Sequence, residues 1–327
     1  MSNKASFKRF CEAQRRVGSH DATAAMDAFY HPDAAIHVVH PFNTLAGPAA
    51  LHTDVIAPLR HAFDHLQQRR YIAFGGECDG AQWVTGTGYF SGLFARDWLG
   101  IKATGDLAHL RFGEFHRMQD GCAIETYLFL DIPELMIAAG QWPIATGPGL
   151  RRGYTAYLPG PLTGDGLQWH ENEPARGASS VAMVTAMLRA LATEDQAWRP
   201  YWCDDMLWYG PAAFGSFIGL GAFADFQVPF ENAFSEWIGG AVVGSKTRHF
   251  ARFADGDYIC SGGWPSLNMV QAKPFLEQPV TDKRLTMRVS DWWRREGDLL
   301  AENWVFVDIP DVLLQLGFDV FNQEAYA

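Results

Sequence analysis

The sequence predicts an α+β fold written twice in tandem. Three observations carry this. The stretch ETYLFLDIPELMIAAG (125–140) returns as ENWVFVDIPDVLLQLG (302–317), with Glu, Phe, the triplet Asp-Ile-Pro and the closing Gly at matching places. Within each copy, helical segments come first and strand-like runs follow, the order of an α+β domain rather than a doubly wound parallel sheet. Between the copies lies a stretch dense in Gly and Pro, residues 147–178, with neither helical nor strand periodicity.

The repeat extends well beyond the opening pair. LRFGEFHR (110–117) matches MRVSDWWR (287–294) in the same register, and GTGYFSG (86–92) pairs with SGGWPSL (261–267) at a slightly drifted offset. PLRHAF (58–63) pairs with PFENAF (229–234), and FYHPDAAIH (29–37) pairs loosely with YWCDDMLWY (201–209). A period this long is too large for a solenoid and marks two whole domains. The 327 residues suit that count. The expected division is 1–146, a linker at 147–178, and 179–327.

In the first unit, helices are expected at 5–17, 20–30 and about 48–65, and in the second at 180–192, 194–202 and about 221–237. Four strands follow in each. They are RRYIAFGGEC, AQWVTGTGYF, LAHLRFGEFHRM and CAIETYLFLD, then TRHFARFA, YICSGGWP, RLTMRVSDWWRR and LLAENWVFVD. Turn signals such as GGECDG, MQDG and ADGD bound them. A short helix closes each unit. Asp131 and Asp308 stand where an N-cap belongs, with Glu134 or Asp311 three residues on, Pro133 or Pro310 in the first turn, and Gly140 or Gly317 at the stop. The repeated Asp therefore reads as architecture before chemistry.

Composition narrows the function. The formal net charge is −11 and no extended face gathers Lys and Arg, which disfavours nucleic acid and anionic membranes as partners. No apolar run approaches the ~18–20 residues of a membrane span. The N-terminus lacks the apolar core of a signal peptide, so a cytoplasmic protein is expected. Five scattered Cys without a CxxC pair read as reduced packing thiols. Thr85-Gly86-Thr87-Gly88 lacks the Lys and the strand-to-helix setting of a phosphate loop, and GxSxG, HExxH and dinucleotide fingerprints are missing. No cofactor is implied. His37, His40, His52 and Glu114 could in principle hold a zinc ion, but their spacing fits no zinc motif, and no metal is expected.

At this point each half resembles a SnoaL-like polyketide cyclase domain of the nuclear-transport-factor-2-like (NTF2-like) superfamily. The motifs are YHPD (30–33), Gly47-Pro48, Gly100-Ile101 with Thr104-Gly105, and Arg117, Asp120-Gly121, Glu125, Asp131 and Gly140. In the second half they are Arg294, Glu302-Asn303-Trp304, Asp308 and Gln315-Leu316-Gly317. The resemblance implies two tandem cones, each a curved antiparallel sheet around an apolar pocket closed by helices. It also implies acid–base chemistry by a His and an Asp. Those family positions fall here at Glu114 and Leu128, and at Asp291 and Val305, so the Asp is lost and the His has become a carboxylate in both halves.

Strand alternation sorts the remaining candidates. If Glu114 faces the pocket, so do Phe112 and His116, and Asp291 travels with Val289 and Trp293. On the next strand the pocket face carries Thr126 and Leu128, and in the second unit Asn303, Val305 and Val307. Glu125 and Glu302 then face away, as sheet-face salt bridges or at a domain interface. Glu114, Asp291 and His116 are the candidate catalytic groups, with Glu114 expected to hold a raised pKa in an apolar pocket. His37, His40 and His52 are placed at the pocket rim of the first unit, which would make it the working half if only one half works, and Tyr209 holds the matching place in the second. The expected ligand is a small hydrophobic molecule of carbonyl type, either transformed without a cofactor or simply bound. A pseudo-dimer within one chain, hence a monomer, is the expected assembly.

Overall fold

The computed structural model describes residues 2–144, 160–191, 196–239 and 249–322. The chain forms two compact units, one of Met1–Trp142 with the segment ending at Asn172, the other taking up the chain from Glu173. Part of the Gly/Pro-rich stretch, residues 145–159, lies outside the described residues. Residues 160–172 belong to unit one, where Ala73 donates to the Gly166 carbonyl (2.9 Å) and Gln168 to the Ala73 carbonyl (2.8 Å), and the stretch from Glu173 on belongs to unit two.

Unit one runs α1 (Asn3–Ala13), α2 (His20–Phe29), β1 (Tyr30–Val38), β2 (Asn43–Leu45), α3 (Pro48–Ala50), a π-helical stretch Leu51–Ile56, α4 (Ala57–Ala62), β3 (Phe63–Cys78), β4 (Ala81–Phe94), β5 (Leu107–Gln119), β6 (Cys122–Leu130) and α5 (Ile132–Ala138). Unit two runs α6 (Pro174–Ala190), β7 (Trp202–Tyr209), β8 (Ser216–Ile218), α7 (Leu220–Asn232), β9 (Phe234–Gly239), β10 (His249–Asp255), β11 (Tyr258–Gln271), β12 (Arg284–Glu296), β13 (Leu299–Val307) and α8 (Ile309–Leu316). The sheet orders, β2-β1-β6-β5-β4-β3 and β8-β7-β13-β12-β11-β10, are the same topology twice, with β9 added beside β11.

Both sheets are mixed rather than wholly antiparallel. β1 lies parallel to β6, and β7 parallel to β13. Neither β1 nor β7 was legible as a strand, for a shared reason. Pairing breaks between Tyr30 and Ala35 and between Trp202 and Leu207, where polar runs (His31-Pro32-Asp33, Cys203-Asp204-Asp205) bulge out of register. Further register shifts in β3 (Asp64/Gln67, Arg70/Ile72) and β11 (Gly263/Leu267) curve the long strands. Gly47 (φ +87°) and Gly219 (φ +82°) stand at the N-caps of α3 and α7, a left-handed turn that a side chain would resist. The expected helix at 180–192 begins earlier, at Pro174. The one expected at 194–202 is only a 3₁₀ turn at Arg199–Tyr201 within its described part.

The repeated Asp is structural in both units, by two different means. Asp308 caps α8, accepting from the Asp311 N–H at 3.3 Å, and also takes Arg288 Nη1 at 3.0 Å. Asp131 makes no side-chain cap. Its carboxylate lies 3.1 Å from Arg111 Nη2, and Glu134 accepts the Arg111 backbone N–H at 2.7 Å, so the expected capping box is not formed. Arg111 and Arg288 are themselves equivalent in the repeat. The duplication thus kept an Arg–Asp tie between a strand and the strand–helix junction, and only unit two also kept the cap. A second repeated pair, Arg117–Glu125 at 2.8 Å and Arg294–Glu302 at 2.5 Å, ties the same two strands of each sheet.

Arg111 and Asp131 are almost wholly buried (side chains 1% and 4% exposed). Asp131→Asn is therefore expected to lower stability by about 3–5 kcal/mol, since it removes an ionised partner from a buried guanidinium. A loss of only about 1 kcal/mol in urea denaturation, the usual value of a helix cap, would show that the pair does not carry this junction.

Candidate functional site

The two sheets present equivalent faces to very different interiors. In unit one, β5 and β6 pair Glu114 with Leu128 and His116 with Thr126, which puts these four on one face. Opposite them α1 delivers Phe7 and Phe10, and the end of α2 delivers Phe29. Phe29 stacks on Phe10 (centroids 4.3 Å apart) and meets the His116 ring edge-on at 5.0 Å. The space is filled further by Arg70 of β3. Its Nε donates to Glu114 Oε1 at 2.6 Å, and its guanidinium lies 5.9, 5.5 and 5.2 Å from the ring centres of Phe7, Phe10 and Phe112. His116 completes the cluster, with Nε2 3.4 Å from Glu114 Oε2 and Nδ1 2.9 Å from Thr126 Oγ1.

These contacts overturn the raised pKa expected of Glu114. Burial does push its carboxyl up, but the Arg70 charge and the contacts from His116 and Arg70 outweigh it and hold the group at about 2. Glu114 is a permanently ionised counter-ion, not a base poised near neutrality.

Unit two holds open space where unit one is filled. A cavity of about 350 Å³ lies over β11, β12 and β13, walled by α7 and the end of α6. The register explains its floor. Ser261 pairs with Asp291, Asp291 with Val305, Trp293 with Asn303, and Asn303 with Trp208, so these residues share the face that lines the cavity. From α7, Phe223, Phe226, Gln227 and Phe230 line the opposite side, at the spacing of one helix face. The buried residues of α6 are mostly small (Gly177, Ser180, Val184, with Met187), where α1 offers Phe7 and Phe10.

Asp291 is the chemical centre of this cavity. It is half-buried and lines the cavity wall. Asn303 Nδ2 approaches its Oδ1 at 3.4 Å, and no guanidinium or ammonium is within salt-bridge reach of it among the described residues. Burial pushes its carboxyl up to about 7, against smaller opposing effects of the Asn303 contact and the Arg252 charge. The reason lies one strand away. Arg70 pairs with Gly88 in unit one, and His249 pairs with Gly263 in unit two, so His249 holds the place of the arginine. Desolvation, with the Arg252 charge, lowers His249 to about 4, so the imidazole is neutral near pH 7 and offers no counter-charge. Its Nε2 lies 3.1 Å from the Ser266 carbonyl. The indole N–H groups of Trp202 and Trp293, both residues of the cavity wall, are enclosed by protein and have no hydrogen-bond partner among the described residues.

The structure therefore gathers Asp291, Trp293, Asn303 and Val305 at one cavity, and Glu114, His116, Thr126 and Leu128 in one packed interior. Two expected rim residues are elsewhere. His37 lies on the other face of its sheet, stacked on Tyr127 at 4.8 Å, because parallel pairing puts it beside Tyr127 rather than Thr126. Tyr209 likewise lies on the far face, its ring 5.3 Å from Trp304, and its neighbour Trp208 takes the cavity position instead. His40 sits in the turn between β1 and β2, and His52 in the π-helical stretch, with Nδ1 buried and unpartnered. Among the described residues no group of three or more His, Cys, Asp or Glu is placed to hold a metal. No described helix is long and apolar enough to cross a membrane. Sequence reasoning missed His249, whose strand was marked but whose equivalence to Arg70 needs the drifted register. It also missed Trp202 and the Phe223, Phe226, Phe230 stripe, whose three- and four-residue spacing was a usable signal.

The sequence matches no family model and no curated protein. Solved structures similar to the chain each cover a little under half of it. A protein described as a SnoaL-like polyketide cyclase from Jannaschia sp. CCS1 is 13% identical over 45% of this chain and 97% of its own (TM-score 0.39). An NTF2-like protein from Burkholderia thailandensis is 18% identical over 43% of this chain and 97% of its own (TM-score 0.34). An LEH-like epoxide hydrolase of M. tuberculosis is 13% identical over 46% and 98% (TM-score 0.33). The chains found similar are of the SnoaL-like and NTF2-like kind that the sequence motifs resemble.

The Arg70–Glu114 pair makes a stability prediction with a defined sign. Glu114→Gln should cost about 3–5 kcal/mol by stranding Arg70, while the double change Arg70→Met with Glu114→Leu should recover most of that loss. Because the folded carboxyl titrates at about 2, below its unfolded value near 4.3, the wild-type contribution is present above pH ~4 and drains away between ~4 and 2. Acid titration of the unfolding midpoint in the wild type and Glu114→Gln checks this, since the variant should lose the slope in that window.

Proposed function

We propose that the unit-two cavity is the active site of a cofactor-independent acid–base enzyme acting on a small hydrophobic carbonyl compound, with unit one as a non-catalytic partner domain. The observation that carries this reading is Asp291, a carboxyl without a counter-ion in an aromatic cavity, held at about 7. A group with that pKa exchanges protons readily at neutral pH. Ionised, Asp291 takes a proton from the carbon next to the carbonyl. Neutral, it returns that proton to another carbon or to a leaving oxygen. Isomerisation, dehydration and cyclisation use such a step, whereas in hydrolysis the ionised carboxyl takes its proton from the attacking water. Glu114 and His116, locked in their own ion cluster, take no part.

The reading is checked without knowing the natural substrate. In D2O the protein should accelerate exchange of the α-protons of 2-tetralone, followed by NMR. Asp291→Asn should lower that acceleration by about 100-fold or more, and the Glu114 variants, where folded, should leave it unchanged. The rate should climb as pH passes about 7, because the basic form of Asp291 accumulates there. His249→Arg, which copies unit one, should move that rise to lower pH by supplying the missing cation. If the wild type exchanges no faster than buffer, or Asp291→Asn matches the wild type, the reading fails.

A further inference from the structure

The orientation of two side-chain amides in the unit-two cavity carries information about its ligand. Asn303 is 3% exposed and lines the cavity. Its Nδ2 donates to the Trp292 carbonyl at 3.0 Å and approaches Asp291 Oδ1 at 3.4 Å. A carbonyl oxygen can only accept, so this contact fixes which end of the amide is nitrogen. Among the described residues nothing bonds the Asn303 oxygen, yet it is not enclosed by protein, so it opens onto the cavity.

Gln227 repeats the arrangement on the opposite wall. It is 8% exposed, lines the cavity from α7, and donates from Nε2 to Glu231 Oε1 at 2.8 Å. That contact fixes its amide in the same sense. The Gln227 oxygen, too, has no partner among the described residues and is not enclosed by protein.

We infer that Asn303 and Gln227 are specificity-determining residues, each presenting a carbonyl oxygen to a hydrogen-bond donor of the ligand. The ligand class is a largely apolar ring compound bearing two separated hydroxyl or N–H groups. One is read beside Asp291 on the sheet, the other across the cavity on α7. A molecule of the same shape without donors leaves two desolvated oxygens unpaired on binding, which is the strongest form of polar discrimination available to an apolar pocket. The inference rests on the cavity being a ligand site, as proposed above. It adds what that site selects.

The test uses four two-ring probes on the whole protein, with binding followed by quenching of tryptophan fluorescence. They are 2,6-dihydroxynaphthalene, its mono- and dimethyl ethers, and naphthalene. Each methylation removes one donor and should weaken binding about tenfold, the value of a buried oxygen left unpaired. Gln227→Met, close in shape, should abolish one of the two steps, and Asn303→Leu the other. Equal binding of the dihydroxy compound and its dimethyl ether overturns the inference and leaves the cavity reading intact. Binding graded as expected but unchanged in Gln227→Met overturns the assignment to that amide. If none of the four probes binds, the ligand site itself is refuted, and the inference with it.

Discussion

The guanidinium of Arg70 lies 2.6 Å from the Glu114 carboxylate, caged by three phenylalanines, and the character of both units follows from whether that cation is present. A carboxyl taken out of water either finds a counter-charge or keeps its proton to a higher pH. Unit one takes the first course. Its ion pair, aromatic cage and His116–Thr126 contact fill the interior, and the carboxyl is acidic. Unit two takes the second. Histidine stands at the position of the arginine, small side chains replace the helix phenylalanines, and Asp291 faces open space with a pKa near neutrality. A few substitutions at equivalent places thus separate a packed interior from a chemically poised one.

What the duplication preserved and what it let drift follow from the two faces of each sheet. Ion pairs tie equivalent strands and junctions on the outer faces: Arg111–Asp131 with Arg288–Asp308, and Arg117–Glu125 with Arg294–Glu302. These residues fix how strands meet each other and the closing helix, a requirement both copies share. The inner faces have no such common duty. Where unit one has Glu114, His116, Thr126 and Leu128, unit two has Asp291, Trp293, Asn303 and Val305, which trades an ionic network for an aromatic and amide-lined surface.

The sequence was informative where its periodicity was regular. The duplication, the α+β order and the alternation of the two long central strands could all be read from it. Alternation alone placed Val289, Asp291, Trp293, Asn303, Val305 and Val307 together, and all six line the cavity. It failed where register slips. The bulges in β1 and β7 hid both strands, and with them the parallel pairing that turns His37 and Tyr209 to the far faces. It failed again where a partner comes from afar in the chain. Arg70 reaches Glu114 across 44 residues, and nothing local marks that meeting, so burial alone suggested a raised pKa where pairing produces a lowered one. Three extra histidines in the first unit carried no information about placement for the same reason, because a count of titratable residues says nothing about where they face.

Asp291 carries a cost in stability with a defined sign. Its folded pKa of about 7 lies above the ~3.9 of an unfolded aspartate. Between those values the folded chain holds a proton that the unfolded chain releases, so this group's effect on stability worsens as pH rises through the window and is fully unfavourable above it. A structural interior has simple remedies, and unit one shows one of them, an arginine at the His249 position. Unit two has instead a neutral imidazole there, two buried indole N–H groups without partners, and two amides whose oxygens face the cavity. Amide oxygens of this kind are unfavourable in an empty apolar cavity, and a ligand with matching donors turns them to advantage. The two interiors therefore differ in kind, that of unit one closed by an ion pair and aromatic packing and that of unit two open around a carboxyl.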